Sequence, residues 1–354
     1  MVKLESRIKA FVKLGDLLRQ FFAFKKDSPE FNNINTPEIA ALEKAIYLAG
    51  QKNTWFTEEQ VLYSLNSWGD LLTEAKLKQW LSDYDIESNK AISVALIMAG
   101  NIPLVGFHDF LSTLLTGNKA IVKLSSQDTV LLPTIADYLI QVEPELGLQI
   151  DFVKDRLLNY DAVIATGSNN TSRYFEHYFG KKPNIIRRNR NSVAILSGKE
   201  SDSDLALLGE DIFRYYGLGC RNVSKLYVPK GYVFNQFFEN IEPYAYLKNQ
   251  HKYVNNYDYN KAVYLMSEFP FLDNGFFILK EDEAYASPIA VAFYEYYEDF
   301  ELLVEKLNNQ QDQLQCVLSM NSKDKYLPFG SAQLPSLKDY ADGIDTVEFL
   351  LKTS

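Results

Sequence analysis

Cys220 is one of only two cysteines in the chain. It sits in Tyr215-Tyr216-Gly217-Leu218-Gly219-Cys220-Arg221-Asn222-Val223-Ser224-Lys225, just before the apolar stretch Leu226-Tyr227-Val228-Pro229. A thiol attacks as the thiolate, and its ordinary pKa of about 8.5 falls beside cations or a helix N-terminus. Arg221 and Lys225 are the nearest cations in sequence, and Gly217 and Gly219 leave room for a substrate to approach. Inert burial is the commonest fate of a cysteine. Cys316, inside Leu314-Gln315-Cys316-Val317-Leu318, reads as such an ordinary strand thiol. By context Cys220 is the better candidate nucleophile.

Other segments carry residue types suited to chemistry. Gly100-Asn101-Ile102-Pro103 follows an apolar run and precedes a helical pattern. Asn101 can there aim an amide N–H at a developing oxyanion, and a plain Gly-Asn-Pro turn is the competing reading. Lys123 is expected to end the strand formed by the apolar run Lys119–Leu124, where its ammonium can meet a ribose or phosphate, although lysines at strand ends are ordinarily solvated. In Ala165-Thr166-Gly167-Ser168-Asn169-Asn170-Thr171-Ser172-Arg173 a strand ends and a helix opens. The first N–H groups of such a helix suit a pyrophosphate, although the segment lacks the GxGxxG pattern. His177, on the same helix, reads as a surface or packing residue. Arg187-Arg188-Asn189-Arg190 is a basic island, either a solvated turn or a contact for the phosphates of a nucleotide or coenzyme A.

The elements that must position these residues follow from periodicity. Residues 1–85 read as helical, with Leu4, Ile8, Phe11, Val12, Leu14, Leu17 and Leu18 on one apolar face. Thr57-Glu58-Glu59-Gln60 has the capping-box form. From residue 91, apolar runs at 91–97, 119–124, 150–153 and 162–165 alternate with helical patterns at 106–116 and 130–142. Strand–helix alternation at this spacing predicts a parallel sheet with crossover helices, the architecture that binds dinucleotides at strand C-termini. A further strand, 192–196, runs into the polar break Ser197–Asp204, and Asp202 or Asp204 is expected to cap a helix through Phe213. Strands at 226–228, 276–279, 289–293 and 315–319, with a helix near 300–308, complete a second α/β pattern. The expected division is 1–193 for N-terminal helices and a dinucleotide-binding domain, 194–334 for a catalytic domain carrying Cys220, and 335–354 for a C-terminal return segment.

Composition excludes several functions. With 354 residues, 47% of them hydrophobic, the chain has material for two domains. A net charge of -10 argues against general affinity for nucleic acid or anionic membrane. There is no CxxC or Cys/His zinc spacing, and no apolar run reaches the ~18–20 residues of a membrane span. The N-terminal segment reads as an amphipathic helix rather than a signal peptide, so a cytoplasmic protein without stable membrane insertion is expected.

Taken in order, the segments resemble the aldehyde dehydrogenase superfamily, and within it the acyl-CoA reductases related to the fatty-acid reductase of bacterial luminescence. Gly100-Asn101-Ile102-Pro103 is similar to the family's oxyanion asparagine motif, Val122-Lys123-Leu124-Ser125-Ser126 to its ribose-binding strand, and Thr166-Gly167-Ser168 to its pyrophosphate turn. Gly219-Cys220 with Ser224-Lys225 resembles the nucleophile loop, and Ser287-Pro288-Ile289 and Leu327-Pro328-Phe329-Gly330-Ser331 resemble two further family loops. The resemblance implies two α/β domains, Rossmann-like and catalytic, after an N-terminal helical segment. It implies Cys220 and Asn101 as catalytic residues, and Lys123, Ser126, Thr166, Gly167, Ser168 and Arg173 as cofactor-binding residues.

Departures from the family pattern sharpen the expectation. Arg187 stands where hydrolytic members place a general-base glutamate. Without that base, water is poorly activated, and an acyl-enzyme is discharged by coenzyme A or hydride rather than by hydrolysis. Ser126 replaces a ribose-clamping glutamate, and a hydroxyl does not repel a 2′-phosphate, so NADPH is expected, with NADH as the alternative. The glutamate that holds the nicotinamide ribose aligns with Ala284, beside Glu283. The implied reaction is NADPH-dependent reduction of an acyl-CoA or acyl-carrier thioester to an aldehyde through a cysteine acyl-enzyme. Two rivals stay open: an aldehyde dehydrogenase acting on a small aldehyde, and a degenerate member that binds acyl chains or coenzyme A without turnover. A homo-oligomer and an acyl-transfer partner protein are the assemblies considered, and the resemblance carries over neither.

Overall fold

A computed structural model describes residues 2–26, 36–167, 169–320 and 326–353. The chain divides into two compact units, Met1–Arg188 with Ser336–Ser354, and Asn189–Pro335. The second unit begins at Asn189, and the polar stretch 197–204 lies within it.

The first unit opens with four helices, α1 (Leu4–Lys25), α2 (Pro37–Lys52), α3 (Glu58–Leu71) and α4 (Glu74–Leu81). Strands β1 (Ser93–Ile97), β2 (Lys119–Lys123), β3 (Ile150–Phe152), β4 (Ala162–Thr166) and β5 (Asn184–Arg187) follow, interleaved with α5 (Phe107–Leu115), α6 (Leu131–Val142) and α7 (Asn169–Phe179). The strands form one parallel sheet in the order β3-β2-β1-β4-β5. Its centre is apolar on both faces, as parallel strands covered by helices require. Val94 and Leu96 face a core shared with Phe107, Phe110 and Leu114 of α5 and with Ile135 and Leu139 of α6. Ala95, Val163 and Ala165 face the opposite side, against Phe175 and Phe179 of α7.

The second unit holds β6 (Asn191–Ile195), β7 (Val223–Pro229), β8 (Phe271–Asp273), β9 (Ile278–Glu281), β10 (Val291–Tyr297) and β11 (Leu314–Ser319), with α8 (Asp202–Phe213), α9 (Asn235–Ile241), α10 (His251–Met266) and α11 (Phe300–Asn309). The sheet order is β11-β6-β7-β10-β9-β8, and only the edge strand β8 runs antiparallel to its neighbour. Leu303 and Leu307 of α11 pack on Val193, Ile195 and Tyr227. The last helix, α12 (Thr346–Thr353), belongs to the first unit. Among the described residues no helix is long and apolar enough to cross a membrane.

Two capping expectations are corrected. Helix α8 is capped by Ser201, not by Asp202 or Asp204. The Ser201 hydroxyl accepts from the Asp204 N–H at 3.2 Å, while the Asp204 carboxylate accepts from the Ser201 N–H at 2.9 Å, a reciprocal box with Asp204 as its far member. At α3, Thr57 makes no side-chain cap hydrogen bond.

Candidate active site

In the first unit the strand order reverses between β1 and β4, and the segments leaving these two strands flank the crevice where open α/β sheets bind ligands. Asn101 lies in the segment after β1, Thr166 ends β4 and Gly167 follows it. Lys123 ends β2 in register with Ile97, the last residue of β1. Four of the expected residues therefore share one sheet edge. Ser168 lies outside the described residues. Ser126 is exposed in the turn after β2, and Arg173 is exposed on α7.

The segment carrying Asn101 is fixed from several sides. A Cβ on Gly100 would fall 2.6 Å from the Ser125 Oγ, so only glycine lets the loops after β1 and β2 approach so closely. The Asn53 amide donates to the Gly100 carbonyl at 3.5 Å, and the Ser64 hydroxyl donates to the Pro103 carbonyl at 3.0 Å. Asp128 accepts from the Leu104 N–H at 3.4 Å and from the Leu131 N–H at 3.3 Å, joining this segment to the first turn of α6. Burial pushes the Asp128 carboxyl up. Leu104 holds φ 57°, a left-handed conformation costing a non-glycine residue about 1–2 kcal/mol.

The sheet edge fits a dinucleotide. A Cβ on Gly167 would lie 2.9 Å from the Phe175 ring and 3.1 Å from the Thr171 side chain. Glycine thus lets α7 start tight against the end of β4, with its first N–H groups at the crevice. The Lys123 Nζ is satisfied by the Asp155 carbonyl at 3.0 Å. The turn bearing Ser126 has no carboxylate at that position.

In the second unit, Cys220 is exposed and Cys316 is buried, and neither forms a disulfide. Cys220 lies in the short connection from α8 to β7. Three consecutive residues before it are left-handed: Tyr215 at φ 53°, Tyr216 at φ 59° and Gly217 at φ 77°. Both tyrosines are buried, at 7% and 5% exposure, so packing of their rings holds a backbone that costs about 1–2 kcal/mol per non-glycine residue. The Ser192 hydroxyl donates to the Cys220 carbonyl at 2.9 Å, and the Gly219 N–H donates to the Asn222 side-chain oxygen at 2.8 Å. Strained, over-determined backbone of this kind clusters at functional loops.

Lys225 does not assist the thiol. Its ammonium is fully buried, pairs with Glu295 at 2.7 Å and donates to the Glu283 carbonyl at 2.7 Å. Burial pulls its pKa down. It serves the sheet, and Arg221, the next residue after Cys220 in the chain, donates from Nε to the Ala332 carbonyl. The basic island also resolves into structural contacts. Arg187 is buried in a bidentate pair with Asp109, one arm at 2.7 Å, and reaches Thr346 at 3.2 Å. Arg188 pairs with Glu176, and Arg190 donates to the carbonyls of Gln311 and Leu314 at 3.2 Å. His177 is exposed. Among the described residues no group of His, Cys, Asp and Glu could hold a metal ion.

Residues 36–244 match the acyl-CoA reductase (LuxC) family. No curated protein matches the chain. Among solved structures, the chain is similar to aldehyde dehydrogenase 21 from Physcomitrella patens in complex with the reaction product succinate, at 13% identity and TM-score 0.63, covering 99% of this chain and 87% of that one. It is also similar to the aldehyde dehydrogenase KauB from Pseudomonas aeruginosa, at 12% identity and TM-score 0.56, covering 90% and 77%. An E. coli NADP-dependent enzyme is similar at 14% identity and TM-score 0.55, covering 89% and 77%. At such identities the likeness establishes an aldehyde dehydrogenase-like fold and nothing finer.

Proposed function

The chain belongs to the LuxC acyl-CoA reductase family of oxidoreductases, and from that premise we propose that it reduces an acyl thioester to an aldehyde through an acyl-enzyme on Cys220. The observation that carries this reading is the exposed Cys220 thiol on a backbone fixed by Tyr215, Tyr216, Asn222 and Ser192. The first unit is assigned to the cofactor and the second to the nucleophile.

The Cys220 thiolate adds to the thioester carbonyl, the carbon–sulfur bond to coenzyme A breaks, and the departing thiolate takes up a proton. The carbonyl oxygen, negative in each tetrahedral state, is assigned to the Asn101 amide and the Cys220 backbone N–H. Lys123 and Ser126 are assigned to the ribose side of the cofactor, and Thr166, Gly167, Ser168 and Arg173 to its phosphates. These residues would hold NADPH, which when bound would supply the hydride for the acyl-enzyme carbonyl. The Cys220–carbon bond of the resulting thiohemiacetal then breaks, releasing aldehyde and regenerating the thiolate. Arg187, buried on Asp109, offers no base to activate water, which supports reduction over hydrolysis of the acyl-enzyme.

Replacing Asn101 by Ala is expected to lower kcat by about 10²–10³-fold, the usual cost of one oxyanion donor, with the KM for acyl-CoA little changed. Steady-state kinetics check this. The reaction itself is tested by supplying acyl-CoA and NADPH and quantifying all products. The reading expects aldehyde, coenzyme A and oxidised cofactor in equal amounts. Free acid formed from an aldehyde and NAD without coenzyme A would establish the dehydrogenase alternative instead.

A further inference from the structure

We propose that Asp211, which touches no reacting atom, is a positioning residue that fixes the loop presenting Cys220 by holding the segment Gly330–Ala332 against Arg221. The proposal rests on the assignment of Cys220 as nucleophile.

Asp211 lies in the last turn of α8 and is fully buried. Its two oxygens meet backbone N–H groups rather than a contacting cation: Gly330 donates at 2.6 Å and Ala332 at 2.9 Å. Gly330 is left-handed at φ 82°, and a Cβ there would come 2.8 Å from Leu207, so the segment passes α8 as closely as its backbone allows. The Ala332 carbonyl, on the residue whose N–H Asp211 holds, accepts from the Arg221 Nε. Arg221 adjoins Cys220.

Asn222 closes the circuit on the other side. It is buried, and its amide donates to the carbonyls of Asp211 at 3.2 Å, Ile212 at 3.2 Å and Arg214 at 2.7 Å, satisfying the end of α8. Its side-chain oxygen accepts the Gly219 N–H at 2.8 Å. The turn Gly219–Asn222 is therefore tied to the same helix end twice, directly through Asn222 and indirectly through Arg221, Ala332 and Asp211. A neutral amide at position 211 cannot reproduce the second tie, because one of the two N–H donors would then face an NH₂ group.

The carboxyl also titrates in an accessible range. Burial pushes its pKa up to about 6, with Glu210 on its own helix raising it and Arg221 on the facing loop lowering it. Above that pH the carboxylate accepts both N–H groups, and below it the protonated acid cannot hold both equally. The sign for stability follows from the same shift. The folded pKa exceeds the ordinary aspartate value of 3.8, so the protonated form favours folding at low pH, and that contribution is lost between about 4 and 6 as pH rises.

The test uses the full chain and alkylation of Cys220 by iodoacetamide, which needs neither substrate nor cofactor. Rates are normalised to the thiolate fraction measured by ultraviolet absorbance. The wild type is expected to show a fall in normalised rate below pH 6 that Asp211→Asn abolishes. At pH 7.5 Asp211→Asn is expected to lower both the normalised rate and kcat by about 10²-fold, the scale of a 1 Å misplacement of a reacting group, with KM within threefold of wild type. If Asp211→Asn does not fold, Arg221→Gln, which cuts the same tie at its outer end, decides with the same readouts. Normalised alkylation and kcat within twofold of wild type in the folded variants would overturn the proposal. Acylation persisting in Cys220→Ala would instead overturn the nucleophile assignment, which the alkylation rates do not test.

Discussion

Cys220→Ala is expected to fold normally and to lose turnover by about 10⁴-fold or more, on the scale seen when a covalent nucleophile is removed. Folding is spared because the side chain is exposed and the contacts of the loop run through the Cys220 carbonyl, the Gly219 N–H and the flanking Arg221 and Asn222 side chains. Far-ultraviolet circular dichroism and a urea midpoint close to wild type would establish that the variant is intact. Cys316→Ala supplies the control, since that thiol is buried in β11 at 6% exposure and is expected to leave turnover unchanged. Loss of turnover in Cys316→Ala with retention in Cys220→Ala would exchange the two assignments.

The largest expected effect on stability lies at Asp109. Its carboxylate and the Arg187 guanidinium are both buried, at 4% and 8% side-chain exposure, and form a bidentate pair that also reaches Thr346 on α12. Asp109→Ala strands a buried cation, and removal of one partner of such a pair costs about 3–5 kcal/mol. Equilibrium urea denaturation is expected to show that loss. The double variant Asp109→Leu with Arg187→Met should recover most of it, because well-packed apolar side chains replace buried ion pairs at little cost. A loss below about 1 kcal/mol in Asp109→Ala would mean that water reaches the guanidinium and that the pair is not buried as described. The same pair explains why a position that resembles a base-bearing strand bears no base here: Arg187 anchors β5 to α5 and α12 within the first unit.

Much of this was legible in the sequence where local pattern and final environment agree. The apolar runs around Val94, Ile121 and Val163 become β1, β2 and β4 because parallel strands are buried on both faces and their sequence shows it. Lys123 and Thr166 close β2 and β4 and Asn101 follows β1, so the sheet-edge candidates could be named before the sheet was known. Cap chemistry was legible only in kind. At α8 a serine competed with two nearby aspartates for the cap, and reciprocal hydrogen bonding selected Ser201. Helix α10 escaped periodicity because its buried face is built from Tyr253, Tyr257, Asn260 and Tyr264 rather than aliphatic residues.

What was not legible depends on contacts between distant positions. Lys225 reads as a neighbour of Cys220 along the chain, yet its strand turns it into the sheet, where Glu295 claims it. Asp211 is an ordinary polar residue until the loop at Gly330–Ala332 arrives, more than a hundred positions later. Tyr215 and Tyr216 gave no hint of left-handed backbone, because bulky residues seldom adopt it. Only the burial of their rings overrides that preference.

The measurement that bears most directly on the central claim is the mass of the protein after incubation with acyl-CoA in the absence of reduced cofactor. Without hydride the acyl-enzyme has no productive outlet. The wild type and Cys316→Ala should each gain one acyl group, mapped by peptide analysis to the segment containing Cys220, and Cys220→Ala should gain none. A folded Cys220→Ala protein that still acquires the acyl mass would contradict the account.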